Sequence, residues 1–340
     1  VSVILKSGMS ADLRMVEDEA FPYVLHHFTG SKEHNTLMRR RAKEMGMKLN
    51  EYGLFRGDER VLCADEASLF GALKLEYIPP ELREGMGEVE QAEAGVFPDL
   101  VELGDLQGQL HVHTNYSDGR ASVEEMALAA RALGYGYIGI CDHSRAAAYA
   151  NGLTEDRVRA QWEEIDRVNE ALDAVRVLKG IEVDIMSDGS LDFEDDFLSQ
   201  FDVVVASVHS RFSMTEEEAT ERMIRAVQNP HIDILGHPTG RLLLTREGYP
   251  LDMRAVIDAA VESGTAIELN SNPSRLDLDW RHLAYARERG LQVPINTDAH
   301  SVEGLEDMQY GVGIARKGGL TAQDVLNAMS VGELLDRLGD

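Results

Sequence analysis

Two closely spaced pairs bracket the second half of the chain: His111 and His113 in LHVHTNYSDG, and Asp298 and His300 in NTDAH. Residues two apart in an extended segment project to one side, so the two members of a pair can share a metal ion. Between the pairs come Asp118, His143 in CDHS, Glu182 in GIEVD, His209 in SVHS and His237 in LGHPTG. Imidazole mixed with carboxylate suits Zn²⁺, Mn²⁺ or Fe²⁺ and disfavours Ca²⁺ or Mg²⁺ alone. A catalytic zinc takes three protein ligands and keeps a position for water, so this many ligands implies two or three divalent ions, with Glu182 the natural bridge. Clustered cations lower the pKa of water, clamp phosphoester oxygens and neutralise a leaving oxygen, which removes the need for a protein nucleophile. Glu182, His113, Asp298 and His300 form the expected catalytic set.

Elements that would position these residues follow from hydrophobic periodicity. Strands are expected near 108–113, 137–141, 177–183, 203–208, 232–236, 265–270 and 292–296. Helices are expected near 121–133, 155–172, 215–228, 252–263 and 280–289, with two more near 302–316 and 321–338. Strands each followed by a crossover argue for an α/β fold built as a parallel barrel of the TIM type, whose active sites form at the carboxyl ends of the strands. Six of the seven expected strands deliver a candidate ligand at that end. A lone histidine after a strand is ordinarily a satisfied polar group, and His231 and His282, off the strand ends, take that reading. Jointly, the strand-end histidines do not.

A chain of 340 residues exceeds one hydrophobic core, so two domains are expected. The stretch IPPELREGMGEVEQAEAGVFPD mixes Pro, Gly and acids without periodicity. We therefore place a first domain at 1–85, a linker at 86–100 and the barrel at 101–340. Lys and Arg number 33 against 60 Asp and Glu, a net charge of −27, which counts against a general nucleic-acid grip. A local exception is the basic run Arg39, Arg40, Arg41, Lys43 and Lys48, which on charge alone reads as a solvated helix face. Only Cys63 and Cys141 occur, which excludes a thiolate cage and fits a reducing compartment. No apolar run reaches membrane-spanning length and no signal peptide is visible, so a cytoplasmic protein without membrane contact is expected.

The motifs HVHTNYSDG, CDHS, GIEVD, SVHS, GHPTG and NTDAHS, in this order, resemble the PHP (polymerase and histidinol phosphatase) domain family. The resemblance implies a distorted seven-stranded (β/α) TIM-like barrel with a trinuclear metal site. It further implies His111, His113, Asp118, His143, Glu182, His209, His237, Asp298 and His300 as ligands. The stretch from residue 26 to 55, HHFTGSKEHNTLMRRRAKEMGMKLNEYGLF, resembles the thumb subdomain of a family X DNA polymerase. Fusion of that thumb to a PHP domain is the hallmark of the bacterial branch of the family. By that resemblance Phe28, Gly30, Asn35, Arg39 and Arg40 lie against nucleotide or template, and the basic helix becomes a DNA contact. Asp12 resembles one catalytic aspartate of the palm, with residues 1–15 a remnant of a palm strand. The rest of palm and fingers is absent, so no polymerase activity is expected from this chain.

The resemblance implies a Mn²⁺-dependent 3′–5′ exonuclease for DNA repair, acting on a primer terminus or gapped DNA. A phosphatase for small phosphate esters of the histidinol-phosphate kind is the alternative, favoured by the acidic surface. A non-catalytic scaffold for a polymerase is a third reading, opposed by the intact ligand set. An amidohydrolase is weaker still, because such enzymes usually bridge their metals with a modified lysine. Arg211, Arg241 and Arg275 neighbour ligand-bearing loops and are expected to bind substrate phosphates, with Glu268 and Asn270 closing the sixth strand.

Overall fold

The computed structural model describes residues 1–339. The chain divides into two compact units, the first Val1–Phe97 and the second from Pro98 onward.

The first unit opens with an antiparallel hairpin, β1 (Ser2–Ile4) and β2 (Ser10–Asp12), whose side chains are exposed except for the half-buried Ala11. Helices α1 (Phe21–Thr29) and α2 (Lys32–Glu44) follow, α2 starting where the Ser31 side chain accepts from the His34 backbone N–H. An antiparallel meander of β3 (Lys48–Asn50), β4 (Gly53–Arg56) and β5 (Glu59–Val61) precedes α3 (Glu66–Ala72) and α4 (Glu88–Ala94). Tyr23, Met38, Leu54, Leu69, Phe70 and Ile78 fill its core. The stretch expected to be a linker departs from that reading. Val89 and Ala92, three apart on α4, pack into the same core, and Glu88 is buried against His34. Gly and Pro marked the turns there, and the short apolar stripe between them was enough for a helix.

In the second unit six strands form one curled parallel sheet. These are β6 (Gly108–Val112), β7 (Tyr137–Ile140), β8 (Arg176–Asp184), β9 (Val203–Ser207), β10 (Ile234–Leu235) and β11 (Ala266–Ile267), in that spatial order. A separate parallel pair joins β12 (Leu269–Asn270) to β13 (Ile295–Asn296). Val112 forms a parallel bridge with Ala299, and the Leu269 N–H donates to the Pro294 carbonyl at 2.9 Å. Outer helices α5 (Val123–Ala132), α6 (Glu155–Ala171), α8 (Glu216–Val227), α9 (Met253–Ser263) and α10 (Trp280–Glu288) cross between strands, while the β8–β9 crossover contains only the one-turn α7 (Asp195–Leu198). Helix α5 shows why such segments are helical: Ser122 and Glu125 form a capping box, and Val123, Met126, Ala127 and Ala130 line one buried stripe.

The two faces of the sheet feed different cores. Ile138, Ile140, Val204 and Ala206 pack outward under the helices, whereas Tyr137, Leu178, Val203 and Val205 pack inward with Leu326 and Leu334. The two-residue alternation carries Leu178 through Gly180 to Glu182 and Asp184 on the inner face. Strand β6 breaks the rule: Leu110 is inward but Val112 outward, and the register shifts between Gln109 and Val112. That irregularity turns His111 and His113 inward. After α11 (Met308–Lys317) the expected helix over 321–338 is shorter, α12 (Val331–Gly339). Asn327, its side chain bonded to Gly108 O, Ile295 O and Ile295 N–H, interrupts it. Among the described residues no helix is long and apolar enough to cross a membrane.

Candidate metal centre

All nine residues expected as ligands come together at the carboxyl ends of the inner strands. Glu182 is the hub. Its Oε1 lies 3.0 Å from His237 Nε2 and 3.3 Å from Nε2 of both His111 and His209; its Oε2 lies 2.8 Å from His143 Nδ1 and 3.6 Å from His113 Nε2. Asp298 Oδ1 approaches His113 Nε2 at 3.1 Å, and Asp118 Oδ1 approaches His300 Nε2 at 3.3 Å. The His300 and His113 rings stack with centroids 4.1 Å apart. Three overlapping groups are compact enough to hold an ion each: His113, Asp118, His143 and His300; His111, His113 and Asp298; His143, Glu182 and His209.

The donor set fits divalent cations. His111 Nε2, both nitrogens of His113, His143 Nδ1, His209 Nδ1 and Glu182 Oε2 are buried without a hydrogen-bond partner. Buried polar atoms left unpaired are costly, so a cluster of them aimed at one another calls for a cation. Electrostatics agree. Burial opposes ionisation of Glu182, yet His209, His111 and His143 hold its carboxyl well below the ordinary range. Asp298, against the same burial, is held low by His111, His113 and Arg275. Burial, with His300 and His143 beside it, pushes His113 down to about 3, leaving a neutral imidazole as a ligand requires. Against burial, Glu182 and Asp184 raise His209 to about 10, and Asp118 and Asp298 raise His300 to about 9.

Surrounding groups fix the ligands. Buried Glu268 accepts from His111 Nδ1 and from the His237 backbone N–H, both at 2.8 Å, and from the amides of Asn270 and Asn296, both at 3.1 Å. This sets the His111 tautomer and leaves Nε2 facing the cluster. Asp142, next to His143, accepts from the backbone N–H groups of Thr114 and Ser117 and from the side chains of Thr114, Ser117 and Gln161, anchoring the loop that carries Asp118. His237 (φ 23°) and Asp298 (φ 53°) have left-handed backbones, strain that the surrounding bonds hold in place. A cavity of about 340 Å³ opens beside Asp298 and His300, lined also by Arg120, Asn272 and Ser301.

Asp184 escaped the sequence reading. Its Oδ1 lies 3.3 Å from His209 Nδ1 and its backbone N–H is held by Asp192. Its spacing of two from Glu182 in GIEVD was the available signal. The arginines divide. Arg275 Nε reaches Asp298 Oδ2 at 3.2 Å, within the cluster. Arg211 is exposed in the loop after β9, with φ 56°. Arg241 corrects the expectation of a phosphate contact: its guanidinium bonds the carbonyls of Arg275 and Leu276 and the Asp279 carboxylate, so it clamps a loop. In the first unit Phe28, Arg39 and Arg40 are exposed, Arg40 paired with Glu44. Asn35 is buried and its amide donates to the carbonyls of His27 and Gly30, holding the turn at Gly30 from inside, which removes it from a nucleotide-facing role.

Parallel strands bring imidazoles and carboxylates together around one glutamate in an α/β domain whose clustered donors suit divalent metal ions. The PHP domain family matches residues 109–272, and the DNA polymerase beta thumb family matches residues 24–84. A Bacillus subtilis protein named DNA polymerase/3′-5′ exonuclease PolX is 46% identical over 335 residues, covering 97% of this chain and 58% of that protein. A probable phosphatase of Acetivibrio thermocellus is 34% identical over 203 residues, 56% of this chain and 78% of that protein. A Lactococcus lactis histidinol phosphate phosphatase, solved with zinc, L-histidinol and phosphate, overlays with 16% identity and a TM-score of 0.46 over 62% of this chain and 93% of its own. The chain belongs to the PHP domain family and joins that domain to a DNA polymerase beta thumb. It spans 58% of the length of the B. subtilis relative.

Proposed function

We propose that the barrel expected over residues 101–340 is a metal-dependent phosphoesterase acting on DNA as a 3′–5′ exonuclease. The observation that carries the reading is Glu182, a fully buried carboxylate approached by five imidazoles. The expected ligands His111, His113, Asp118, His143, Glu182, His209, His237, Asp298 and His300 would hold two or three ions, Mn²⁺ or Zn²⁺ with Fe²⁺ as a further candidate. Such ions, when bound, polarise a phosphoester and bring water towards ionisation at neutral pH. The chain's own residues do the rest. Glu182 stays ionised and would bridge the ions; Asp298 stays ionised and His113 neutral, as ligands require; Arg275, beside Asp298, offers a cation to a non-bridging phosphate oxygen. His300 and Asp118 sit at the more open edge, next to the cavity that would take one nucleotide of the substrate.

In this reading residues 1–85 serve as a thumb whose exposed Phe28, Arg39 and Arg40 touch a primer terminus or gapped duplex, adding a phosphate-binding contribution that weakens with salt. The sheet and the β12–β13 pair form one distorted seven-stranded barrel, supported by the bridge of Val112 to Ala299 and the Leu269–Pro294 bond. The name of the B. subtilis relative supports the exonuclease; the name of the A. thermocellus probable phosphatase supports a phosphatase, with small phosphate esters as substrates, as a second reading. One assay separates them: an end-labelled DNA strand and small phosphate esters are each incubated with the chain and Mn²⁺, Zn²⁺ or chelator. The exonuclease reading expects Mn²⁺-dependent shortening from the 3′ end that is lost in His113→Ala and Glu182→Ala. Faster turnover of the small esters, with the strand intact, would move the assignment to a phosphatase.

A further inference from the structure

Tyr149 is a largely exposed ring at the edge of the candidate metal cluster. It sits in the run Arg145-Ala146-Ala147-Ala148-Tyr149-Ala150, and 71% of its surface is exposed while Ala147 and Ala150 on either side are buried. Its ring centroid lies 6.2 Å from that of His143 and 6.4 Å from that of His209. The carboxylates of Glu182, Asp184 and Asp118 and the guanidinium of Arg275 are within electrostatic reach of its phenol, as is Arg246. The loop that presents it is rigid. Ser144 bridges to Leu153, the Leu153 N–H donates to His143 O, and the Asn151 amide donates to the carbonyls of Tyr116 and Ser117. Gly152 lies so close to the Ser144 carbonyl that no side chain fits there.

A large aromatic ring held in water by small buried neighbours contributes little to stability and presents a flat face beside the reacting centre. Resting on the exonuclease reading, we propose that Tyr149 is the stacking platform for a nucleobase adjoining the scissile phosphate, and so a determinant of the preference for nucleotides over simple phosphate esters. Every base has a π-face, so the platform is indifferent to sequence. The cavity beside Asp298 and His300 receives the neighbouring nucleotide.

The test uses three labelled strands: one complete, one abasic at the 3′-terminal position and one abasic at the penultimate position. The full chain with Mn²⁺ should cut one abasic strand roughly tenfold more slowly, in kcat/KM, than the complete strand. Tyr149→Ala should abolish that difference, and Tyr149→Phe should retain it, because the ring and not the hydroxyl stacks. A binding readout without turnover accompanies it: in chelator, 2-aminopurine placed at the affected position should be quenched by the wild-type chain and by Tyr149→Phe but not by Tyr149→Ala. Equal cutting of all three strands, a penalty that survives in Tyr149→Ala, or its loss in Tyr149→Phe overturns the platform while leaving the exonuclease standing. No cutting of any strand overturns the exonuclease and the platform with it.

Discussion

Replacing Glu268 with Gln isolates the support of the metal centre from the ligands themselves. The carboxylate accepts four donors, two on each oxygen: His111 Nδ1 and the Asn296 amide on Oε1, the His237 N–H and the Asn270 amide on Oε2. A glutamine offers one acceptor oxygen and places an NH₂ against the other two donors. Each buried donor left unpaired costs about 1–3 kcal/mol, so the pair costs about 2–6 kcal/mol of folding stability in the metal-free chain. The Asn270 amide also lies 3.3 Å from Asp298 Oδ2 and can turn towards it, which favours the lower half of that range. Loss of the negative charge behind His111 weakens its Nε2 as a donor, and such supporting groups are typically worth about 10–100-fold in metal affinity. Denaturant unfolding in chelator reads the first effect, and calorimetric titration with Mn²⁺ reads the second. A variant within about 0.5 kcal/mol of wild type that binds Mn²⁺ with unchanged affinity would refute the claim that Glu268 positions His111 and His237.

Metal affinity should rise with pH. His209, held up at about 10, and His300, at about 9, carry protons at pH 7 that an ion must displace, so binding releases protons and tightens as pH climbs towards 9; titration in buffers of different ionisation enthalpy counts them, and no release contradicts the prediction. His26, buried and lowered to about 3, with His34 and Arg83 adding to the effect, should keep a neutral ring down to pH 4 by NMR. Its folded value lies below the unfolded one, so the chain binds more protons when unfolded, and this contribution is complete above about pH 6.5 and is lost as pH falls towards 3; a His26→Gln chain should lose less stability over that window. Asp142→Ala releases Thr114, Ser117 and Gln161 together and should cost about 2–4 kcal/mol while lowering Mn²⁺-dependent turnover through Asp118; a fully active, equally stable variant would show the loop is held otherwise. Arg241→Ala should lower thermal stability without changing the salt dependence of DNA binding, because its guanidinium is committed to the 275–279 loop.

The convergence of the candidate ligands was legible because strand ends are legible: HVH, DAH and GIEVD each place polar residues where apolar alternation stops, and parallel strands bring those stops to one place. What a polar side chain does off the strands was not legible. Asn35 and Arg241 have the composition of DNA contacts, but backbone carbonyls brought near by tertiary folding claim them both. Asp184 could have been found by parity with Glu182, whereas the inward turn of His111 and His113 depends on an irregularity in β6 that no spacing rule announces. The sixth strand illustrates the same limit. It reads as continuous over 265–270, yet it divides around Glu268, whose side chain gathers four donors inside the sheet.

The most direct trial of the whole account is elemental analysis of the purified chain after Mn²⁺ or Zn²⁺ loading and removal of free ions, on wild type and on Glu182→Gln. Two or three equivalents per wild-type chain, falling by at least one in the variant while its circular dichroism stays unchanged, is the expected outcome. A wild-type chain that retains no metal, or a variant that retains all of it, contradicts the claim that Glu182 joins these strand ends into a cation site.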